Sequence, residues 1–528
     1  MTERLINSDF TIAFALIFGF VFTVLLMAVA WIGIPTFERI AGNTVRRILT
    51  NSAVPIGAQL FNQATNLVFA IFMLRLLGVT GNGQYVVATT VWLYAKTISD
   101  FGLGVLVTRE VSRHPDRAGT LLGSSALLRI VVLLTLLPLI GVYVLWGTQW
   151  SDLSRTSAVA IVLLVMTIAP SSYSEAINSV FNGRERMEFP AIINILTNLG
   201  RIGFGLAVLF AGYGVVGLAS VALISTTLST IAFHLSARHL DVRPVWRLGR
   251  EQAQMLILLS WPLLLNALLV NLFFRADVFV IQASKGDGAL GVYDAAYKFI
   301  NMLPLIPAYF TLAVFPLLSR YASSSAAKLM DSYRLAAKLL FIVAWPITVG
   351  TMILAPDLIR ILAGQAFLPD SANALRVLIW FLPISYVNGI TQYVLIAVNR
   401  QRTITVAFAA AVIFNLGANL LLVPMYGYMA AAAVTVATEA VLFVPLSITV
   451  HRYIGEFNWL GFAIRPTIAA VAMGAVEIVM LRFDVILALL AGLIAYGAML
   501  VVTGAIGRRE AEIARTLLGR SRPAVSQQ

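Results

Sequence analysis

Residues 75–110, RLLGVTGNGQYVVATTVWLYAKTISDFGLGVLVTRE, decide the fold. Gly78 to Tyr85 reads as a tight hairpin tip between two apolar runs. Lys96 and Asp100 follow, four residues apart and therefore on one face of a helix. Two charges inside an apolar span mark a polar stripe, because ionisable groups at that depth are costly unless they face a cavity, a partner or a pathway. The stretch recurs 208 positions later, over 286–320: Gly78 falls on Gly286, Gly83 on Gly291 and Tyr85 on Tyr293.

The surrounding chain is built for lipid. Of 528 residues, 59% are hydrophobic and 12% charged, with a mean hydropathy of +0.88. Uncharged runs of roughly 20 residues recur throughout, the length that crosses a hydrocarbon core as a helix. They are continuous rather than alternating, which indicates a helical bundle and excludes an outer-membrane barrel. There is no cysteine, so disulfides, thiolate metal sites and thiol nucleophiles are excluded.

Taken in order, the first run is Thr11–Ile34, followed by the basic residues Arg39, Arg46 and Arg47. Ala28-Val29-Ala30 resembles a cleavage site, but secretion would leave those arginines on the wrong side, so the run is read as a retained helix. Spans follow near 53–76, 85–107, 120–145, 157–182, 190–211 and 213–236. A second six lie near 254–283, 291–319, 333–355, 372–398, 403–424 and 428–450, and two more near 460–481 and 485–506. The expected division is therefore 1–52 (extra helix and basic linker), 53–236 (first lobe), 237–253 (linker), 254–450 (second lobe), 451–506 (two more helices) and 507–528 (basic tail). Asn182 matches Asn399, and GYGVVGLA at 212–219 matches MYGYMAAA at 425–432, so the two six-span sets repeat one another. An even number of spans makes the halves parallel, and transporters with parallel halves place their substrate path between them.

Loop charges orient the bundle. Alternate segments collect twenty-five basic residues, among them Arg109, Arg113, Arg117, Arg238, Arg243, Arg247, Arg250, Arg334, Lys338 and Arg508. The opposite segments hold five: Arg4, Arg155, Lys285, Arg360 and Arg482. Basic loops stay in the cytoplasm, which puts the C-terminus there. The formal charge of +13 is thus a topology signal and does not imply nucleic acid.

Several spans carry polar residues at helical spacing: Gln59, Gln63 and Asn66; Ser171, Glu175, Asn178 and Asn182; Asn194, Asn198 and Arg201; Asn271, Arg275 and Gln282; Asp294, Lys298 and Asn301; Ser385, Asn388, Gln392 and Asn399. Asn and Gln commonly bridge helices for about 0.6–2 kcal/mol each, so these alone define no site. The deep bases Lys96, Arg129, Arg201, Arg275 and Lys298 are the stronger signal, balanced by the deep acids Asp100, Glu175, Asp277, Asp294 and Glu439. Depth and face select Lys96, Asp100, Arg129, Arg201, Arg275 and Lys298 as the candidate substrate-binding set, with Asp100 as the intrahelical counter-ion of Lys96. No catalytic, cofactor or metal constellation is expected.

The opening stretch, its second copy DVFVIQASKGDGALGVYDAAYKF, FNGRERMEFPAIINILTNLGRIGFG and the late NRQRTITVAFAAAVIFNLGANLLLVPMYGYMAAA resemble the polysaccharide-biosynthesis flippases of the multidrug/oligosaccharidyl-lipid/polysaccharide exporter superfamily. The resemblance covers roughly 52–450, and Thr11–Ile34 departs from it. It implies an all-α integral membrane protein of two six-helix lobes in a V. It also implies a cationic cavity for the head of a lipid-linked oligosaccharide, moved from inner to outer leaflet of the cytoplasmic membrane. Membrane lipids, a glycan polymerase and glycosyltransferases are the implied partners. A multidrug or small-cation exporter of the same superfamily is disfavoured because residues 53–74 hold no acid. A membrane polymerase or ligase is disfavoured because outside loops are short and the four histidines sit near span ends or in loops.

The loop charges predict a topology that cysteine labelling tests on a clean background. A Cys placed near Arg46 should be protected from an impermeant thiol reagent applied outside. Labelling from outside would reverse the orientation and the retained first helix together.

Overall fold

The structure, a computed structural model, describes residues 43–505 apart from 151, 152 and 241. The expected helix at Thr11–Ile34 and the basic tail at 507–528 lie outside the described residues. Among the described residues there are helices and turns but no strand. In order they are α1 (Asn43–Asp100), α2 (Leu103–Arg113), α3 (Ala118–Trp150), α4 (Arg155–Met166), α5 (Ile168–Gly183), α6 (Glu188–Phe210), α7 (Gly214–Ser236) and α8 (Arg250–Ile300). The chain continues as α9 (Leu305–Ser324), α10 (Ala326–Leu362), α11 (Asp370–Leu378), α12 (Phe381–Ala397), α13 (Gln401–Tyr426), α14 (Tyr428–Tyr453), α15 (Trp459–Met480) and α16 (Val485–Val502). Twelve helical stretches among them are long and apolar enough to cross a membrane.

Two of those stretches hold two spans each, because α1 and α8 break at a glycine. Gly78 has φ 67° and Gly286 φ 76°, left-handed values that favour glycine. The break in α8 is a reversal. The Tyr293 hydroxyl donates to the Asp277 carboxylate, and Arg275 lies 3.4 Å from Asp294. On an unbroken helix, residues 16 apart would be separated by about 24 Å. The twelve stretches therefore carry the fourteen spans expected between 53 and 506.

The two breaks pack on each other. A Cβ built on Gly83 would sit 1.8 Å from the Asp287 carbonyl oxygen, and one on Gly291 would sit 1.9 Å from that of Val79. Val79 and Asp287 are themselves equivalents at the 208-residue offset, so the contact is reciprocal. In lipid there is little hydrophobic drive between helices, and small residues that let backbones approach supply the packing instead.

The repeat shows in other irregularities. The fourth span is divided into α4 and α5 at Thr167, and its counterpart into α11 and α12 at Ile379–Trp380. Each ends near a residue with positive φ, Glu185 in one case and Asn399 in the other. The second span, expected unbroken over 85–107, instead stops at Asp100. Gly102 there has φ 73°, and a Cβ on it would meet Leu263 at 2.6 Å, so α8 presses on the break. The eighth, expected unbroken over 291–319, is interrupted between α8 and α9 at Asn301–Pro304.

The chain forms two compact units. One runs through Asp294 and takes in Ile361–Ala366; the other comprises Ala295–Arg360 and the chain from Phe367 on. In the first unit, the linker after α7 is strapped down. Val245 N donates to the Gly119 carbonyl at 3.0 Å, Trp246 packs 5.4 Å from Tyr173, and Arg184 donates to the Leu240 carbonyl. In the second unit, α12 and α14 share a buried bond from Asn388 Nδ2 to Glu439 Oε2 at 2.7 Å. There α15 and α16 pack on α10, with the Tyr496 hydroxyl donating to the Ile342 carbonyl at 2.8 Å and Glu477 wedged between Gly350 and Gly492.

The reciprocal contact predicts a penalty with a matched control. Gly83→Ala should lower stability by about 1–3 kcal/mol through overpacking, read as earlier thermal unfolding in micelles. Gly141→Ala, where a Cβ meets nothing within 4 Å, should be neutral or slightly stabilising. Equal unfolding temperatures for the two variants would refute the close approach.

Candidate functional site

The first polar cluster grows from Lys96 and Asp100 on the second arm of α1. Sequence spacing pairs them with each other, but the structure pairs each across to a neighbouring helix. Lys96 Nζ lies 3.0 Å from Glu175 Oε1 on α5. Asp100 Oδ1 accepts from Arg129 Nε on α3 at 2.9 Å, with Nη2 at 2.8 Å from the same oxygen. The reason lies in position. Asp100 is the last residue of α1, where the negative end of the helix dipole disfavours a carboxylate and demands a cation. Arg129 is only 1% exposed and needs an anion in its turn. Lys96 also stands 5.3 Å over the Trp92 ring, which steadies its ammonium.

These charges are not sealed away. The side chains of Lys96, Asp100 and Glu175 are 33%, 34% and 38% exposed, although all three lie within helices of membrane-crossing length. Arg129 is buried behind Asp100 and can only hold that carboxylate in place.

A second cluster sits where the broken helices meet. Asp294 accepts from Asn82 Nδ2 at 3.2 Å and faces Arg275 at 3.4 Å, so one buried carboxylate ties the first tip to both arms of α8. The Asn271–Arg275 stripe turns toward α1. Asn271 Nδ2 donates to Thr97 Oγ1 at 2.8 Å, and the Tyr94 hydroxyl donates to the Asn271 carbonyl at 3.1 Å.

Arg201 stands apart from both clusters. It lines an open groove of about 310 Å³ whose walls include Gln59, Asn62, Gln63, Asn66 and Asn198. Its Nη2 donates to Asn198 Oδ1 at 2.9 Å and Asn66 Oδ1 at 3.2 Å, while Asn198 reaches Asn62 and Thr65, both at 3.0 Å. Two stripes read separately from the sequence thus face each other. Lys298 lies one turn beyond Asp294 on α8, in the second unit.

Of the six expected residues, the structure joins Lys96, Asp100 and Arg129 in one network and leaves Arg201, Arg275 and Lys298 at other places. Glu175 and Asp294 were legible as deep acids but not as members of the set. Asn82 and Tyr293 sit in or beside the hairpin tips, where polarity reads as turn chemistry and gives no signal of a buried bond. No group of three or more His, Asp or Glu able to hold a metal occurs among the described residues.

Asp100→Ala would leave Arg129 buried without its anion. A loss of about 3 kcal/mol is expected, the low end of the range for breaking a buried pair, because Asp100 is a third exposed. Membrane yield of the single variant should fall, and Asp100→Ala/Arg129→Leu should restore it. A single variant that accumulates normally would mean the pair carries no structural weight.

The family model described as "Polysaccharide biosynthesis protein" matches residues 48–322, and the MatE model matches 262–421. No curated protein sequence matches the chain. Among solved structures, the lipid II flippase MurJ in an inward closed conformation superposes with a TM-score of 0.71 at 14% identity, covering 86% of this chain and 98% of that one. An inward-facing multidrug resistance MATE family transporter of the MOP superfamily superposes with a TM-score of 0.59 at 17% identity, covering 74% and 94%. These likenesses establish the fold. The first family model spans more than half of the chain, which therefore belongs to the polysaccharide biosynthesis protein family.

Proposed function

We propose that the chain is a flippase carrying a polyprenyl-linked oligosaccharide from the inner to the outer leaflet of the cytoplasmic membrane by alternating access. One observation carries the reading: Lys96, Asp100 and Glu175 are each about a third exposed within membrane-crossing helices. Charge facing hydrocarbon is costly, so such a surface belongs to a wet interior path. Lys96 and Arg275 are the bases suited to a phosphate-sugar head, Lys as a compact point charge and Arg as a bidentate fork. Arg201 and Lys298 extend the polar surface, and Arg129 acts through Asp100. The domain division read from the apolar spans and their repeat, the cytoplasmic C-terminus read from the loop charges, and the polymerase and glycosyltransferase partners belong to the same proposal.

The second cluster supplies a contact that must open. The Asn82–Asp294–Arg275 bonds join the two glycine breaks, and on the orientation given by the loop charges those breaks lie at the outer face. The membrane potential supplies the direction. A diphosphate head carries about two negative charges, and outward movement of each yields about 2.3 kcal/mol per 100 mV. The head must be bound inside and released outside, so each ion pair needs only to exchange its internal partner for the ligand.

The MatE match favours one rival, a multidrug or small-cation exporter. The acids Asp100, Glu175 and Asp294 count against it, since each is already engaged by a base.

A flipping assay decides between the two. The purified chain in liposomes should translocate a fluorescent polyprenyl-diphosphate oligosaccharide. Lys96→Gln and Arg275→Gln should each slow it at least about tenfold, the worth of one charge-assisted bond, with Arg275→Lys between. Normal flipping by both variants would remove these bases from the path, and transport of an organic cation in place of the lipid would establish the exporter.

A further inference from the structure

Arg201 differs from the other deep bases in its company. Among the described residues that line its groove there is no acid, and the walls are carboxamides and hydroxyls. We propose that this groove binds an acidic sugar of the transported glycan, with the sugar carboxylate at Arg201 and its hydroxyls at the surrounding amides. The proposal rests on the flippase reading only for what brings the sugar there.

The side-chain network fixes which atoms are left for a ligand. Thr65 spends its hydroxyl proton on the Phe61 carbonyl at 3.0 Å, so its oxygen can only accept. Asn198 Nδ2 donates to that oxygen and to Asn62 Oδ1, both at 3.0 Å, and Asn198 Oδ1 accepts from Arg201 Nη2 at 2.9 Å. Both amide hydrogens of Asn198 are thereby used, and at 7% exposed it is the buried anchor of the network. Polarity then propagates outward. Asn62 gives its oxygen to Asn198, and Asn66 gives its own to Arg201 Nη2 at 3.2 Å. The amide NH2 groups of Asn62 and Asn66 and the Nε and Nη1 hydrogens of Arg201 remain for a ligand. Donors around one fixed positive charge select an anion that carries further acceptors.

Charge, size and place narrow the class. One positive charge matches a carboxylate, which is monoanionic, better than a diphosphate. A volume of about 310 Å³ is at the low end for ligand pockets and suits one sugar residue rather than a whole glycan. Asn62 and Asn66 stand about 6 Å apart along the axis of α1, about the span of one sugar ring. Gln59 and Gln63 continue the row, and each amide offers both a donor and an acceptor, as a hydroxyl requires. Arg201 is exposed on a helix of membrane-crossing length, a costly place for charge unless it meets water or a ligand. On the orientation given by the loop charges, the spans near 53–76 and 190–211 both start at the cytoplasm. Residues 59–66 and 194–201 therefore lie toward the inner side, where a head is first bound.

The full chain in detergent micelles is titrated with three lipid-free probes while thermal unfolding is followed. They are a short oligouronate, its carboxyl-reduced neutral counterpart and inorganic phosphate. The oligouronate should raise the midpoint saturably, and the neutral sugar should bind at least about tenfold more weakly, the worth of one charge-assisted bond. Arg201→Gln should abolish this preference. Arg201→Lys, which keeps the charge but not the fork, should leave it intermediate and so separates lost recognition from misfolding. Equal response to the neutral sugar, or an Arg201→Gln variant that keeps the preference, overturns the acidic sugar. A response to phosphate as strong as that to the oligouronate overturns the carboxylate as the recognised group. Because the probes carry no lipid, binding and flipping are read separately. A chain that binds the oligouronate but moves no polyprenyl-linked lipid keeps the groove and loses the flippase reading, and one that flips the lipid but ignores the oligouronate does the reverse.

Discussion

Backbone touching backbone at Gly83 and Gly291 is the constraint that orders the first unit in the conformation described. Neither position has room for a methyl group, because the carbonyls of Asp287 and Val79 occupy it. That closeness brings Asn82 within reach of Asp294 and puts the buried carboxylate against Arg275. It also joins two stretches 208 positions apart, so equivalent residues of the repeat meet each other at the tips. An apolar bundle without such contacts would have little to fix its helix register, since lipid competes equally well for leucine and valine.

Electrostatics then decides which charges are structural and which are open. Arg129 is wholly enclosed and pairs with Asp100. Lys96 and Glu175 are paired yet exposed, so either partner can be exchanged for a ligand without stranding a sealed charge. The difference follows from where each helix ends. Asp100 closes α1 and draws its cation from α3, which leaves Lys96 to seek an acid on α5.

Most of the architecture was legible because membrane helices announce themselves by length. The membrane-length helical stretches and the two glycine tips were visible in the residue pattern. Helix breaks inside a span were not, since a single glycine such as Gly102 or a proline such as Pro170 is tolerated inside a membrane helix and does not by itself mark a break. Side-chain partners were the harder part. An i,i+4 spacing made Lys96 and Asp100 natural partners, and only the packing of α3 and α5 on that helix shows why both turn outward. Arg201 was correctly seen on a stripe with Asn194 and Asn198, but periodicity within one helix cannot say that the opposing stripe is Gln59–Gln63–Asn66.

The strapped linker after α7 changes how the two repeats should be divided. Its backbone is bonded to α3, and the first arm of α8 packs on α1, so residues 250–294 belong physically to the body that precedes them. The seam left by duplication and the seam between compact bodies are therefore different lines through the molecule. Splitting the gene at the linker would give two matched repeats on paper, but the first would lack a supporting arm and the second would carry one torn from its bed. The compact division falls inside α8 between Asp294 and Ala295, beside the carboxylate that holds the two glycine breaks together.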